Sequence, residues 1–118
     1  MNITVPELKK IILKQLNSQS EIDSVDDFDL IHNKETISVL GKITAQGYDV
    51  EFSGELQNSD KGVELADSEI KAGFFVKAFI RPYLKRLPAL IKTFLEKHYK
   101  IKIDSISITP KGLLIEPK

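Results

Sequence analysis

The longest helical pattern in the chain is FFVKAFIRPYLKRLPALIKTFLEKH, residues 74–98. At about 100° per residue, its apolar side chains fall in one arc, which is typical of a helix with one buried face. The arc consists of Val76, Ile80, Tyr83, Leu84, Leu87, Leu90, Ile91 and Phe94. Pro82 and Pro88 lie outside the arc, and neither has an amide to donate. We therefore expect either two helical pieces divided near Pro82 or one bent helix.

The segments before this helix alternate with a period of two. Apolar positions recur from Ile37 to Ile43 and, after a turn at Gln46-Gly47, from Tyr48 to Leu56. This alternation predicts an antiparallel hairpin with one buried face. A polar loop is expected at 18–27, a short strand at 28–32, and a fourth strand at 63–70 whose slipped phase indicates a bulge.

The two ends of the chain complete the predicted fold. Thr4 and Glu7 form a capping-box pattern, and the apolar spacing after it predicts a helix from about Val5 to Asn17. Residues 101–108 and 113–115 flank a turn and predict a closing hairpin. The 118 residues therefore predict one soluble α+β domain over 1–118. It would have a curled antiparallel sheet of about six strands, packed against an N-terminal helix and the long amphipathic helix.

Charge is divided unevenly along the chain although the total is +0. Residues 1–70 carry six lysines and fourteen acidic residues, whereas residues 71–102 carry nine basic residues and one acidic residue. One interpretation is a surface for anionic partners, and the other is a basic helix and an acidic sheet that neutralise each other. The neutral total charge and the sequence pI of about 6.7 argue against nucleic acid.

Residue patterns that would indicate catalysis are missing. The chain has no cysteine, its two histidines do not lie at ligand spacing, and no glycine-rich phosphate loop is present. We therefore predict no enzyme, no cofactor and no metal site, with a carboxylate pair the one catalytic arrangement left open. No secretory signal is visible, so a cytoplasmic location is the default expectation. A sequence from which a signal or anchor had been removed would look the same.

Six stretches of the sequence resemble one family. They are ITVPEL (3–8), VLGKI (39–43), YDVEF (48–52), IKAG (70–73), IKIDSISI (101–108) and KGLLI (111–115). The family is the bacterial tubular-lipid-binding-like (TULIP-like) family, typified by the mycobacterial lipomannan elongation protein. The resemblance implies a long helix on a strongly curled sheet, an apolar groove for a lipid tail, and no catalytic residues. The chain is shorter than a full domain of that family, so association of two copies is a further expectation.

Two functional hypotheses follow. The first is a non-catalytic module that binds a lipid acyl chain or similar apolar ligand between the long helix and the sheet. Its candidate contacts are Phe74, Phe75, Phe79, Tyr83, Leu87 and Phe94, with Arg81, Lys85 and Arg86 near an anionic head group or a peripheral membrane surface. The alternative is an interaction domain with a packed core that forms a homo-oligomer or binds a protein. We further predict that Gly54, in an inward phase of its strand, faces the long helix.

Overall fold

A computed structural model describes residues 1–118 and contains three helices and seven strands. The predicted α+β class is confirmed. The helices are α1 (Val5–Asn17), α2 (Phe74–Lys85) and α3 (Leu87–Tyr99). The strands are β1 (Asn2–Ile3), β2 (Ile22–Asn33), β3 (Thr36–Ala45), β4 (Tyr48–Ser59), β5 (Gly62–Lys71), β6 (Ile103–Thr109) and β7 (Gly112–Pro117).

The strands form two antiparallel sheets, where the sequence predicted one. β2, β3, β4 and β5 form a four-stranded sheet in chain order, and β1, β7 and β6 form a second, three-stranded sheet. Each strand of the larger sheet pairs with its neighbour in sequence through a tight turn. In the smaller sheet the short strand β1 pairs with β7 from the other end of the chain. Local alternation carries no information about that pairing.

β2 is longer than expected, because it begins at Ile22 within the predicted loop. Two irregularities in its pairing with β3, between Ile22 and Ser24 and between Val25 and Asp27, interrupt the two-residue period. A bulge shifts the following side chains to the opposite face, so the alternation is lost although the strand continues. The acidic side chains of this segment bind neighbouring strands and turns, since Asp23 accepts a 2.7 Å hydrogen bond from the Gly47 amide.

The long helical pattern is divided at Arg86, which ends α2 and precedes α3. Pro82 lies inside α2, so the division is four residues beyond the predicted position. Pro88 stands in the first turn of α3. A proline is tolerated there because the first amides of a helix have no intrahelical acceptor. The position of Pro88 therefore accounts for the start of α3, whereas Pro82 lies within α2 without dividing it.

One hydrophobic core joins the helices to both sheets. It contains 23 buried residues, all of them apolar, and no polar or charged residue is buried. α1 contributes one face and α3 contributes Leu87, Ile91, Phe94 and Leu95. The two sheets also meet through side chains: Asn58 of β4 forms two hydrogen bonds with the backbone of Ile108 in β6. His32 of β2 lies 2.8 Å from the carbonyl oxygen of Thr109.

Gly54 lies in the inward phase of β4, as predicted, together with the buried residues Val50 and Leu56. Its nearest neighbour is a strand and not the helix. A Cβ added at Gly54 would lie 2.7 Å from a methyl carbon of Leu65 in β5. The expected contact with the long helix is therefore replaced by a contact within the sheet.

Candidate functional site

Helix α2 carries three rows of side chains, each at a spacing of four residues. Residues four apart lie on the same side of an α-helix, one turn above the other. Val76, Ile80 and Leu84 form the inward row, in which Leu84 is buried and the other two are half-buried against the core. The other two rows lie on either side of this inward row, one aromatic and one basic.

The aromatic row consists of Phe75, Phe79 and Tyr83, with Phe74 beside it at the start of the helix. These side chains face solvent: Phe74 is 82% exposed, Phe75 85%, Phe79 51% and Tyr83 50%. The rings of Phe74 and Phe75 contact each other edge to face at 5.6 Å, and those of Phe79 and Tyr83 lie 5.8 Å apart. Large contiguous apolar side chains at a protein surface mark sites of binding.

A shallow apolar groove lies between the aromatic row and the tip of the β3–β4 hairpin. Its volume is about 170 Å³, and its lining is Ala45, Gln46, Tyr48, Phe75, Val76, Phe79 and Ile80. The two-residue turn has positive φ at both Gln46 and Gly47, which suits the twist of a tight hairpin and holds its tip beside the helix. Sites that enclose a drug-sized ligand occupy about 300–1,000 Å³. The groove can therefore hold only part of such a molecule.

Tyr48 is the one aromatic member of this groove that the sequence prediction missed. It is 59% exposed and stands at the first position of β4. The signal was present, because Tyr48 shares the inward phase of Val50 and lies directly after the turn. The alternation along β4 could not show that α2 lies beside that turn.

The basic row consists of Lys77, Arg81 and Lys85, and Arg86 follows it at the end of the helix. A groove of about 350 Å³ separates this row from Ser68 and Glu69 of β5. No ion pair closes that groove: the two salt bridges of the protein join Lys9 to Asp29 and Lys42 to Glu51. The basic side chains of α2 and the acidic side chains of the sheet therefore do not neutralise each other through direct ion pairs.

Arg86 is placed differently from the other cations of α2. It follows Tyr83 by three residues and Phe79 by seven, and both spacings place it on the aromatic side of the helix. Arg81 and Lys85 lie on the opposite flank, at the spacing of Lys77. Of the three cations predicted to meet a head group, Arg86 alone extends the aromatic row.

Two predicted contacts lie in the core. Leu87 is 9% exposed and Phe94 is 7% exposed, and both belong to the hydrophobic cluster that joins α3 to the sheets. Their packing accounts for their apolar character. The structure thus brings Phe75, Phe79 and Tyr83 together at the surface with Phe74 and Arg86 at either end, and it places Leu87 and Phe94 away from them.

A third, wider groove of about 720 Å³ runs from the α2–α3 junction to β6 and the start of β5. Its lining mixes Lys85 and Lys92 with Asp60, Glu64 and Asp104. Because cations and anions are mixed there, the charge of this groove favours neither an anionic nor a cationic ligand. The apolar groove and the aromatic row remain the most distinctive surface of the molecule.

Two titratable groups have shifted pKa values, and both lie away from α2. Hydrogen bonds from Ser24 and Thr44, together with the charge of Lys42, lower the pKa of Asp26. Burial raises the pKa of Tyr99, and the hydrogen bond to Glu7 and the charge of that residue add to the shift. Both are explained by contacts between neighbouring elements of the fold.

Comparison with models of protein families, with curated proteins and with solved structures finds no match to this chain. No cluster of three or more histidine, aspartate or glutamate side chains is arranged to hold a metal ion. None of the three helices combines the length and the apolar character that crossing a membrane requires.

Proposed function

We propose that this protein is a non-catalytic module that binds the acyl chain of a lipid, or a similar apolar molecule, along the aromatic row of α2. The observation that carries the proposal is the exposure of four aromatic side chains beside an apolar groove. Water is a poor solvent for such a surface, and each aromatic ring contributes a large apolar area when it is covered.

The shape of the site supports an open mode of binding. From Phe75 to Tyr83 the row rises about 12 Å, at 1.5 Å per residue. A chain lying along this row would enter the groove near Tyr48 with part of its length and cover the exposed rings with the rest. Arg86 at the end of the row would then meet an anionic head group.

The second candidate is an interaction domain that covers the same aromatic row with a protein surface or with a second copy of itself. Two observations favour it: no polar or charged residue is buried in the core, and the apolar groove is too small to enclose a ligand. Aromatic residues are also enriched at protein interfaces. The two candidates use the same residues and differ in what covers them.

Native mass spectrometry of the purified protein, before and after addition of a fatty acid or a phospholipid, tests the proposal. Lipid adducts are expected at near-stoichiometric occupancy, and the double variant Phe75→Ser/Phe79→Ser is expected to lose them. Ile31→Ser/Leu40→Ser is the matched control. Ile31 and Leu40 are 49% and 45% exposed but lie in the outward, polar phase of the larger sheet.

Comparison of the two double variants shows whether the lipid binds at the aromatic row or elsewhere on the protein. Loss of adducts in the α2 variant alone supports binding at the aromatic row. Equal loss in both variants, or no adduct with any lipid, contradicts the proposal. A dimer mass that disappears in the α2 variant would favour the interaction domain instead.

A further inference from the structure

We propose that the exposed side of α2 docks on the surface of an anionic lipid bilayer, with Phe74 and Phe75 inserted at the interface. The inference rests on the proposed function and extends it by naming the surface from which the lipid is taken. It is argued from charge, from the position of the aromatic residues, and from the arrangement of the rest of the molecule.

The first observation is the absence of acidic residues from the sequence of α2 and its flanks. Residues 70–95 contain no aspartate or glutamate, whereas they carry Lys71, Lys77, Arg81, Lys85, Arg86 and Lys92. None of these six cations forms a salt bridge within the protein. Basic side chains near an anionic membrane each strengthen binding by about fivefold. The unpaired cations in and beside α2 therefore match an anionic surface in sign.

The second observation is the position of the two most exposed rings. Phe74 and Phe75 open α2, and neither packs against the core. Between Phe75 and Arg86 the exposed residues are Ala78, Phe79, Arg81, Pro82, Tyr83 and Lys85, and the two cations among them lie on the flank opposite the aromatic row. A helix with aromatic residues on one side and cations at its margins is typical of helices that lie in the membrane interface. Phenylalanine is among the residues that such helices bury at the boundary between head groups and acyl chains.

The third observation concerns the acidic part of the molecule. α2 packs on the side of the larger sheet that carries Val50 and Leu56, and the acidic side chains of β4 occupy the opposite phase. An anionic surface would attract the helix and repel that face of the sheet. The charge division along the sequence thus becomes a division between two sides of the fold, which orients the protein on a membrane.

The same charges argue against a second copy as the occupant. A two-fold dimer through α2 would place Lys77, Arg81 and Lys85 opposite the same residues of the partner, because each surface faces itself in such a dimer. Pairing α2 of one copy with the acidic sheet of another would be a head-to-tail contact, which produces rings or filaments rather than a two-fold dimer.

Co-sedimentation with vesicles tests the inference. One set of vesicles is phosphatidylcholine alone and the other is phosphatidylcholine mixed with phosphatidylglycerol, both at low and at physiological salt. We expect binding to the mixed vesicles only, with weaker binding at physiological salt as the screening length falls from about 30 Å at 0.01 M to about 8 Å. Arg81→Gln/Lys85→Gln/Arg86→Gln should weaken binding on the order of 100-fold, at about fivefold for each cation.

The matched control is Lys10→Gln/Lys14→Gln/Lys111→Gln, which removes the same charge from exposed lysines without ion pairs elsewhere on the protein. It should bind almost as the parent does. A second variant, Phe74→Ser/Phe75→Ser, should also lose vesicle binding while folding normally, since both side chains are more than 80% exposed in the parent.

Each outcome separates the docking inference from the proposed function. Lipid adducts in the mass spectrum together with equal binding to both kinds of vesicle, or with no vesicle binding, would overturn docking on an anionic membrane and leave lipid binding intact. Equal losses in the two triple variants would overturn it as well, because net charge rather than α2 would then control binding. Self-association of the parent through α2 without vesicle binding would favour a protein partner.

Discussion

Replacing Asn58 with alanine removes the hydrogen bonds by which one side chain joins the two sheets. The Asn58 Oδ1 accepts from the Ile108 amide at 2.7 Å, and its Nδ2 donates to the Ile108 carbonyl at 2.9 Å. Ile108 is 2% exposed, so neither backbone group can readily exchange its lost partner for water. Asn58 thus pairs with β6 as a neighbouring strand would, although β4 and β6 belong to different sheets.

The magnitude follows from the two bonds. At about 0.5–1.5 kcal/mol each, their loss lowers the free energy of unfolding by about 1–3 kcal/mol. An unfolding entropy of about 2.1 cal/mol/K per residue gives roughly 0.25 kcal/mol/K for the whole chain, so the expected fall in Tm is about 4–12 °C. Gln57→Ala is the control. Its side chain donates to Glu64 in a solvent-exposed hydrogen bond of the larger sheet, and loss of that bond should cost no more than about 0.5 kcal/mol.

Thermal unfolding measures the global effect, and hydrogen exchange at the Ile108 amide measures the local one. Asn58→Ala should lower both Tm and the protection of that amide, whereas Gln57→Ala should leave the amide protected. A variant with the parental Tm and an unchanged exchange rate at Ile108 would refute the reasoning. The sheets would then be held together by the hydrophobic core and by the contact of His32 with Thr109.

Three further predictions concern stability. Gly54→Leu should lower the free energy of unfolding by about 1–3 kcal/mol through overpacking against β5, and an unchanged denaturation midpoint would contradict this. Gly112→Ala should lower the free energy of unfolding by at least as much, because φ is +133° there and a Cβ would meet the Ile3 carbonyl. At Gly47 φ is also positive but no atom lies near the added Cβ, so chemical denaturation of Gly47→Ala should show a smaller loss of stability. Because the pKa of Tyr99 is raised on folding, its contribution to stability is complete below about pH 10 and is lost as the pH rises through the folded pKa. Tyr99→Phe should therefore reduce the fall in stability above pH 10, and equal alkaline denaturation of variant and parent would oppose this.

Local signals predicted the N-terminal helix well. α1 spans Val5–Asn17, and the Thr4 hydroxyl accepts a hydrogen bond from the Glu7 amide at 3.3 Å, as the capping pattern requires. The predicted hairpin of β3 and β4 also forms with its turn at Gln46-Gly47. In each case the deciding residues lie within a few positions of one another, so the sequence pattern contains the whole signal.

The division into two sheets depends on contacts between distant residues. Ile3 pairs with Leu113, and the Asn58 side chain reaches Ile108 across 50 positions. Period-two alternation reports which side of a strand is apolar and does not identify its partner. This is why the strands after the long helix were predicted but their separate sheet was not.

The aromatic site shows a similar limit. Periodicity placed Tyr83 within the apolar arc of the helix, yet its side chain is half exposed in the structure. An arc drawn from one helix cannot show where the core ends, because that boundary depends on how α2 lies across β4 and β5. The same placement brings Tyr48 into the groove. The sequence therefore predicted the aromatic residues, and the packing separated those at the surface from Leu87 and Phe94.

An NMR titration tests the central claim most directly. The ¹⁵N-labelled protein would be titrated with a lysophosphatidylglycerol below the concentration at which it forms micelles. We predict saturable shift changes at the amides of residues 74–86 and 45–48, which frame the aromatic row and its groove, with the amides of Ile31 and Leu40 unchanged. No shift up to the solubility of the lipid, or shifts confined to the outward side of the larger sheet, would contradict lipid binding along α2.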